Sequence, residues 1–155
     1  MKTIRTAFLT ILLTTTALFY SGSLRSQVKA DDVVGVWLNE DKDAHIKVEN
    51  RQGKYYGNII WLKEPNEETT GLPKLDDENP DPVLQKRPVM GLELLTGFVF
   101  DGDDEWEDGD IYDPKSGSTY SCYMLFTDDT KNQLKVRGFI GVSLLGRTTY
   151  WTKVK

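Results

Sequence analysis

The chain has 155 residues, with 24 acidic and 19 basic side chains, a net charge of −5, one cysteine and one histidine. An acidic surface repels phosphate backbones and anionic headgroups, which argues against nucleic acid and lipid surfaces as partners. A lone cysteine forms no internal disulfide, and one cysteine with one histidine falls short of an ordinary zinc site.

Residues 1–30 read as a secretory signal peptide. Lys2 and Arg5 form a basic start, Ala7 to Tyr20 an apolar and threonine-rich stretch, and Val28-Lys29-Ala30 offers small residues where a signal peptidase reads. The stretch is too short for a membrane span. Cleavage after Ala30 is expected to release one domain, residues 31–155, to the periplasm or the medium. The removed segment holds four basic residues and no acids, so the charge falls by a further four. Cys122 is the only cysteine, so no lipidated cysteine follows the signal and no membrane anchor is expected.

Past Asp31 the chain is a series of short apolar-polar alternations punctuated by Gly, Asp, Asn and Pro, the pattern of half-buried strands. Val33–Asn39 is the first. Ala44–Asn50 follows, with Ile46 and Val48 opposite His45, Lys47 and Glu49, and then Tyr55–Leu62. After an irregular stretch from Lys63 to about Met90 come Leu92–Phe100 and Trp106–Asp113. Ser118–Thr127 puts Tyr120, Cys122, Met124 and Phe126 on one face. Gln133–Ile140 sets Leu134, Val136 and Ile140 against Lys135, Arg137 and Phe139, and Gly146–Val154 is the last. Eight antiparallel strands with short links are expected to close into an up-and-down β-barrel, which removes sheet edges; a two-sheet sandwich is the competitor. An eight-stranded barrel is just filled by its own side chains, or holds one small ligand.

The segment between the third and fourth strands is too long for a plain connection. Asn79 or Asp81 can cap a short helix that begins at Pro80 or Pro82, with Lys86 and Arg87 at its negative end and Pro88 as its stop. Val83, Leu84, Val89 and Met90 are then available to dock on the barrel. The expectation is a clamped lid over one mouth, packed against Val142–Leu145.

The residues permit little catalysis. His45, beside Asp43 on the polar side of its alternation, reads as an exposed strand histidine. "GVSLLG" (Gly141–Gly146) places its second glycine three residues after Ser143 rather than the two a nucleophile elbow needs. "DGDDEWEDGD" offers oxygen donors, but Trp106 stands where an EF-hand loop requires glycine. No spacing selects a carboxylate pair for acid–base work, so a hydrolase is the weakest reading. No catalytic residue, metal or cofactor is assigned, and Cys122 reads as a small buried hydrophobe.

"GVWLNED" (Gly35–Asp41), "GNIIWLKEPN" (Gly57–Asn66), "DENPDPVLQKRPVMGLELLTGF" (Asp77–Phe98), "DGDIYDPKSGSTYS" (Asp108–Ser121) and "LKVRGFIGVSLLGRTTYWTK" (Leu134–Lys153) together resemble the bacterial domain-of-unknown-function 2147 family of exported proteins. The resemblance implies a lipocalin-like barrel. It also implies a barrel-end pair in which Arg147 stacks on the indole of Trp37, the tryptophan of Gly35-Val36-Trp37. The first functional reading is a small, largely apolar molecule held in the barrel, with Tyr56, Trp61, Tyr112, Tyr120 and Met124 as candidate contacts. The second is a filled barrel that binds another envelope or extracellular protein, motivated by Val142, Leu144 and Leu145 at a turn.

Overall fold

The computed structural model describes residues 27–142 and 145–154. These form eight antiparallel strands in sequential order: β1 (Gly35–Leu38), β2 (Ala44–Arg51), β3 (Lys54–Leu62), β4 (Glu93–Phe100), β5 (Glu105–Asp113), β6 (Ser118–Phe126), β7 (Gln133–Phe139) and β8 (Gly146–Lys153). β8 pairs back onto β1, so the meander is a closed barrel rather than a sandwich. Each strand lies within two residues of the ends its alternation predicts. The expected signal segment and the residues Ser143 and Leu144 of the "GVSLLG" turn lie outside the described residues, apart from Gln27–Ala30.

Alternation sends every second side chain inward. Ala44, Ile46 and Val48 of β2 meet Tyr55 and Ile59 of β3, Leu95 and Phe98 of β4, and Trp106 of β5. Cys122, Met124 and Phe126 of β6, Leu134 and Val136 of β7, and Trp151 of β8 complete the core. Gly109 is part of this packing, because a Cβ there would lie 2.3 Å from the Phe98 ring. Cys122 is buried as expected, and burial pushes its thiol up to about 12. Ile140 departs from its expected face: it follows the end of β7 and is exposed.

A 3-10 turn, Ala30–Val33, plugs one barrel end. Two core indoles anchor it: Trp37 Nε1 donates to the Val33 carbonyl at 2.8 Å, and Trp106 Nε1 to the Ala30 carbonyl at 2.9 Å. Its two aspartates hold the rim. Asp31 accepts from Tyr55 Oη at 3.0 Å and Asn50 Nδ2 at 2.7 Å, and Asp32 pairs with Lys131 at 2.6 Å. Burial raises the Asp32 pKa, but the Lys131 ammonium and the Lys29 amide outweigh it and hold the carboxyl below its usual range.

The cation over Trp37 is Lys153, not Arg147. Lys153 Nζ lies 5.3 Å from the indole and donates to the Asp32 carbonyl at 3.1 Å. Register explains the correction: Trp37 pairs with Lys153, whereas Arg147 pairs with Gly138 at the opposite end of β8. Six residues of strand separate the two cations by about 20 Å.

Candidate functional site

The five candidate ligand contacts do not converge. In β3 the inward positions are Tyr55, Gly57 and Ile59, so Tyr56 faces out, with the Arg51 guanidinium 4.7 Å above its ring. The β2–β3 register slips between His45 and Ile46. Trp61 therefore pairs with His45 on the outer face, their rings 4.5 Å apart. Tyr112 also faces out, because Gly109 and Ile111 take the inward positions around it. Met124 is fully buried in the core, and Tyr120, also inward, is half-buried beside Ile111. Trp37, Trp106, Tyr55, Phe98, Leu95 and Met124 rank among the largest fully buried side chains and occupy the lumen.

The long β3–β4 connection is ordered and clamped, but from outside the barrel wall. Asp76 is fully buried at its centre. Its Oδ2 accepts from Arg87 Nε at 2.9 Å, Arg87 Nη2 at 2.8 Å and Asn79 Nδ2 at 2.8 Å. Its Oδ1 accepts from Tyr112 Oη at 2.6 Å, which ties the segment to β5. Burial, reinforced by the Asp76 contact, raises the Tyr112 phenol above its ordinary pKa. The bridges Asn66↔Pro73 and Leu75↔Pro88 fold the segment back on itself.

Asn79 and Asp81 do not cap a helix but make local turns, through Asp81 N–H to Asn79 Oδ1 at 2.9 Å and Val83 N–H to Asp81 Oδ1 at 2.8 Å. The expected helix is a single 3-10 turn, Leu84–Lys86, that follows Pro80 and Pro82 and has Val83 at its N-cap with no side-chain cap. Arg87 turns inward to Asp76 instead of lying along a helix end, and Pro88 joins the bridge to Leu75. The segment also rests on the β5–β6 turn, where Gly117 leaves room for the Glu78 carbonyl. It does not cover the β7–β8 turn: Val83 is 77% exposed, Val142 59% and Leu145 69%. Among the described residues the expected docking between strap and turn is absent, and Asp76 holds the strap on β5 instead.

Sequence reasoning missed Asp76 and Lys153. The signal for Asp76 was a carboxylate and a guanidinium flanking a proline-rich run. Lys153 gave none locally, since its partner lies at the far end of the chain.

Two open grooves lie outside the lumen. One of about 580 Å³ runs between the 3-10 turn and the β1–β2 hairpin, lined by Asp31, Val34, Val36, Lys47 and Glu49. The other, about 260 Å³, lies over the β5–β6 bulge beside Asp108, Asp110, Ser121 and Phe139. Asp101 at the β4–β5 tip spends one oxygen on the amides of Asp103, Asp104 and Glu105, which lowers its pKa and makes it a turn cap. Among the described residues, no group of His, Cys, Asp and Glu is arranged to hold a metal ion.

A family model described as "Uncharacterized protein conserved in bacteria (DUF2147)" matches residues 35–153. A solved structure, protein HP1028 from the human pathogen Helicobacter pylori, described as belonging to the lipocalin family, superposes with a TM-score of 0.67 at 20% identity. The match covers 79% of this chain and 82% of that one. No curated protein matches the sequence.

Proposed function

The chain belongs to the bacterial DUF2147 family, and from that premise we propose an exported lipocalin-like barrel that acts through its outer surface as a protein-interaction module. The observation that carries this reading is the filled lumen: large apolar side chains stand where a carrier would keep space. Ile140, Val142 and Leu145 support it, exposed together beside the β7–β8 turn where a monomer gains nothing from them. The basic start and apolar stretch of the first 20 residues support export.

One observation favours a second reading, a small apolar ligand near the strap end of the barrel. Tyr120 and Ile111 face inward there and are only half-buried. Native mass spectrometry of protein purified from its own host separates the two. A mass equal to the polypeptide supports surface action. A stoichiometric small-molecule adduct that is lost in Tyr120→Ala overturns it in favour of the second reading.

A further inference from the structure

The barrel wall has a gap. β1 ends at Leu38 and covers only Thr152 and Lys153 of β8. No other described strand pairs with that edge. The Lys153 N–H faces β7, donating to the Asn132 carbonyl at 2.9 Å. Alternation therefore turns the N–H and C=O groups of Thr148 and Tyr150 away from β7, toward the gap. Arg147 and Thr149 have inward register, yet one is exposed and the other half-buried, as they would be where the wall stands open. An edge of this kind is a template for another strand.

Its surroundings define the chemistry of that strand. Residues 31–117 carry 22 acidic and nine basic side chains, whereas residues 118–155 carry two acidic and six basic. The basic excess gathers beside the gap. Arg137 donates to Thr148 Oγ1 at 2.8 Å, which draws its guanidinium toward the free edge. Lys135 is paired with Tyr150, and Arg147 stands on the edge itself. Across the gap the β1–β2 turn is acidic, but Lys115 lies 3.5 Å from Asp41 and 3.6 Å from Asp43 and offsets them. Exposed Tyr150, Ile140, Val142 and Leu145 supply apolar surface at the same place.

We propose that the free edge of β8, Gly146 to Tyr150, takes up an extended segment of a partner protein in which carboxylates alternate with aliphatic residues. The inference rests on the surface-acting reading and names its partner class. The added strand would satisfy the groups of Thr148 and Tyr150 that no described strand pairs. Its carboxylates, on the inner face, would meet Arg147, and its aliphatic side chains, on the outer face, Tyr150 and the β7–β8 turn. Backbone bonds supply affinity in such an addition, and the side chains supply selectivity.

The test is fluorescence anisotropy of the exported chain titrated with a labelled, end-capped decapeptide alternating Glu and Val, beside its Lys–Val counterpart. The Glu–Val peptide is expected to bind saturably, about tenfold or more tighter than the Lys–Val peptide, and to weaken as salt rises. Tyr150→Pro removes an N–H that faces the gap and should abolish binding. Arg147→Glu, at an exposed position, should weaken the Glu–Val peptide by about tenfold while strengthening the Lys–Val peptide. Absence of binding, equal binding of both peptides, or indifference to Arg147→Glu overturns the proposal. A dimer of the free protein that Tyr150→Pro dissociates also overturns it, since a second copy would then be the occupant. That result leaves the surface-acting reading intact; only a ligand in the lumen removes it.

Discussion

Lys153 stands over the indole of Trp37 and at the same time donates to the Asp32 carbonyl, so one ammonium joins the last strand, the first strand and the plugging turn. Replacing it with methionine keeps the aliphatic packing and removes both charged contacts. Lys153→Met is expected to cost about 1–2 kcal/mol in urea unfolding. Arg147→Gln, at the other end of the strand, is expected to stay within about 0.5 kcal/mol of the wild type.

The strap depends on one buried carboxylate. Asp76→Asn leaves Arg87 and Tyr112 without their anion and should destabilise the segment by about 2–4 kcal/mol. The loss is expected to be local. Hydrogen exchange should speed up at the Asp76 and Val89 amides, which donate across the strap to Arg87 and Lys74, while the Val154 amide, which donates to Val36 across the β1–β8 closure, keeps its protection. Tyr112→Phe should give the same pattern more weakly, because Asp76 keeps its guanidinium.

Gly117 tests the seating of the strap from the barrel side. Its φ is +65°, and a Cβ would fall 1.9 Å from the Glu78 carbonyl oxygen. Gly53 has a φ of +83° with nothing within 4 Å of its absent Cβ. Gly53→Ala therefore reports backbone strain alone, about 1 kcal/mol. Gly117→Ala should exceed it by a further 1–3 kcal/mol or so, compared at denaturation midpoints.

Tyr55 predicts an alkaline limb. Burial, aided by the hydrogen bond to Asp31, raises its phenol from 10.0 to about 12. The fold favours the neutral phenol, so this contribution is complete below pH 10 and is lost as pH rises through about 12. The wild-type Tm should fall across that window more steeply than that of Tyr55→Phe. The variant should be less stable at neutral pH, where it lacks the Asp31 contact.

The N-terminal boundary carries a fifth prediction. Val28 and Ala30 pack on the core, Trp106 donates to the Ala30 carbonyl, and Lys131 donates to the Gln27 carbonyl at 3.0 Å. A chain beginning at Asp31 would leave a buried indole N–H unpaired, at a cost of about 1–3 kcal/mol. A chain beginning at Gln27 is expected to be more stable than one beginning at Asp31. On the proposed export, the intact mass of the mature protein should place cleavage before Gln27, where Ser21 and Ser23 offer small residues, rather than after Ala30.

The strands were legible because their determinants are local: alternation at Ala44–Val48 or Cys122–Phe126 names an inner face without reference to any neighbour. The barrel followed from short links between consecutive strands. What stayed hidden depends on register. A slip beside His45 and a bulge between Trp106 and Gly109 decide where Trp61 and Tyr112 point, and neither leaves a mark in a single strand's pattern. The short turn in the strap was foreseen from its prolines. Its attachment outside the wall was not, because that needs Asp76 and Tyr112, 36 residues apart, to be known as partners.

The two-residue seam between β1 and β8 has a temporal meaning. Trp37–Lys153 and Leu38–Thr152 join the opposite ends of the domain, so every nascent chain that lacks its last few residues remains an open sheet. Contacts of such high sequence separation form late. On the proposed export, a chain crossing a membrane unfolded would thus be prevented by its own topology from sealing before its C-terminus has arrived.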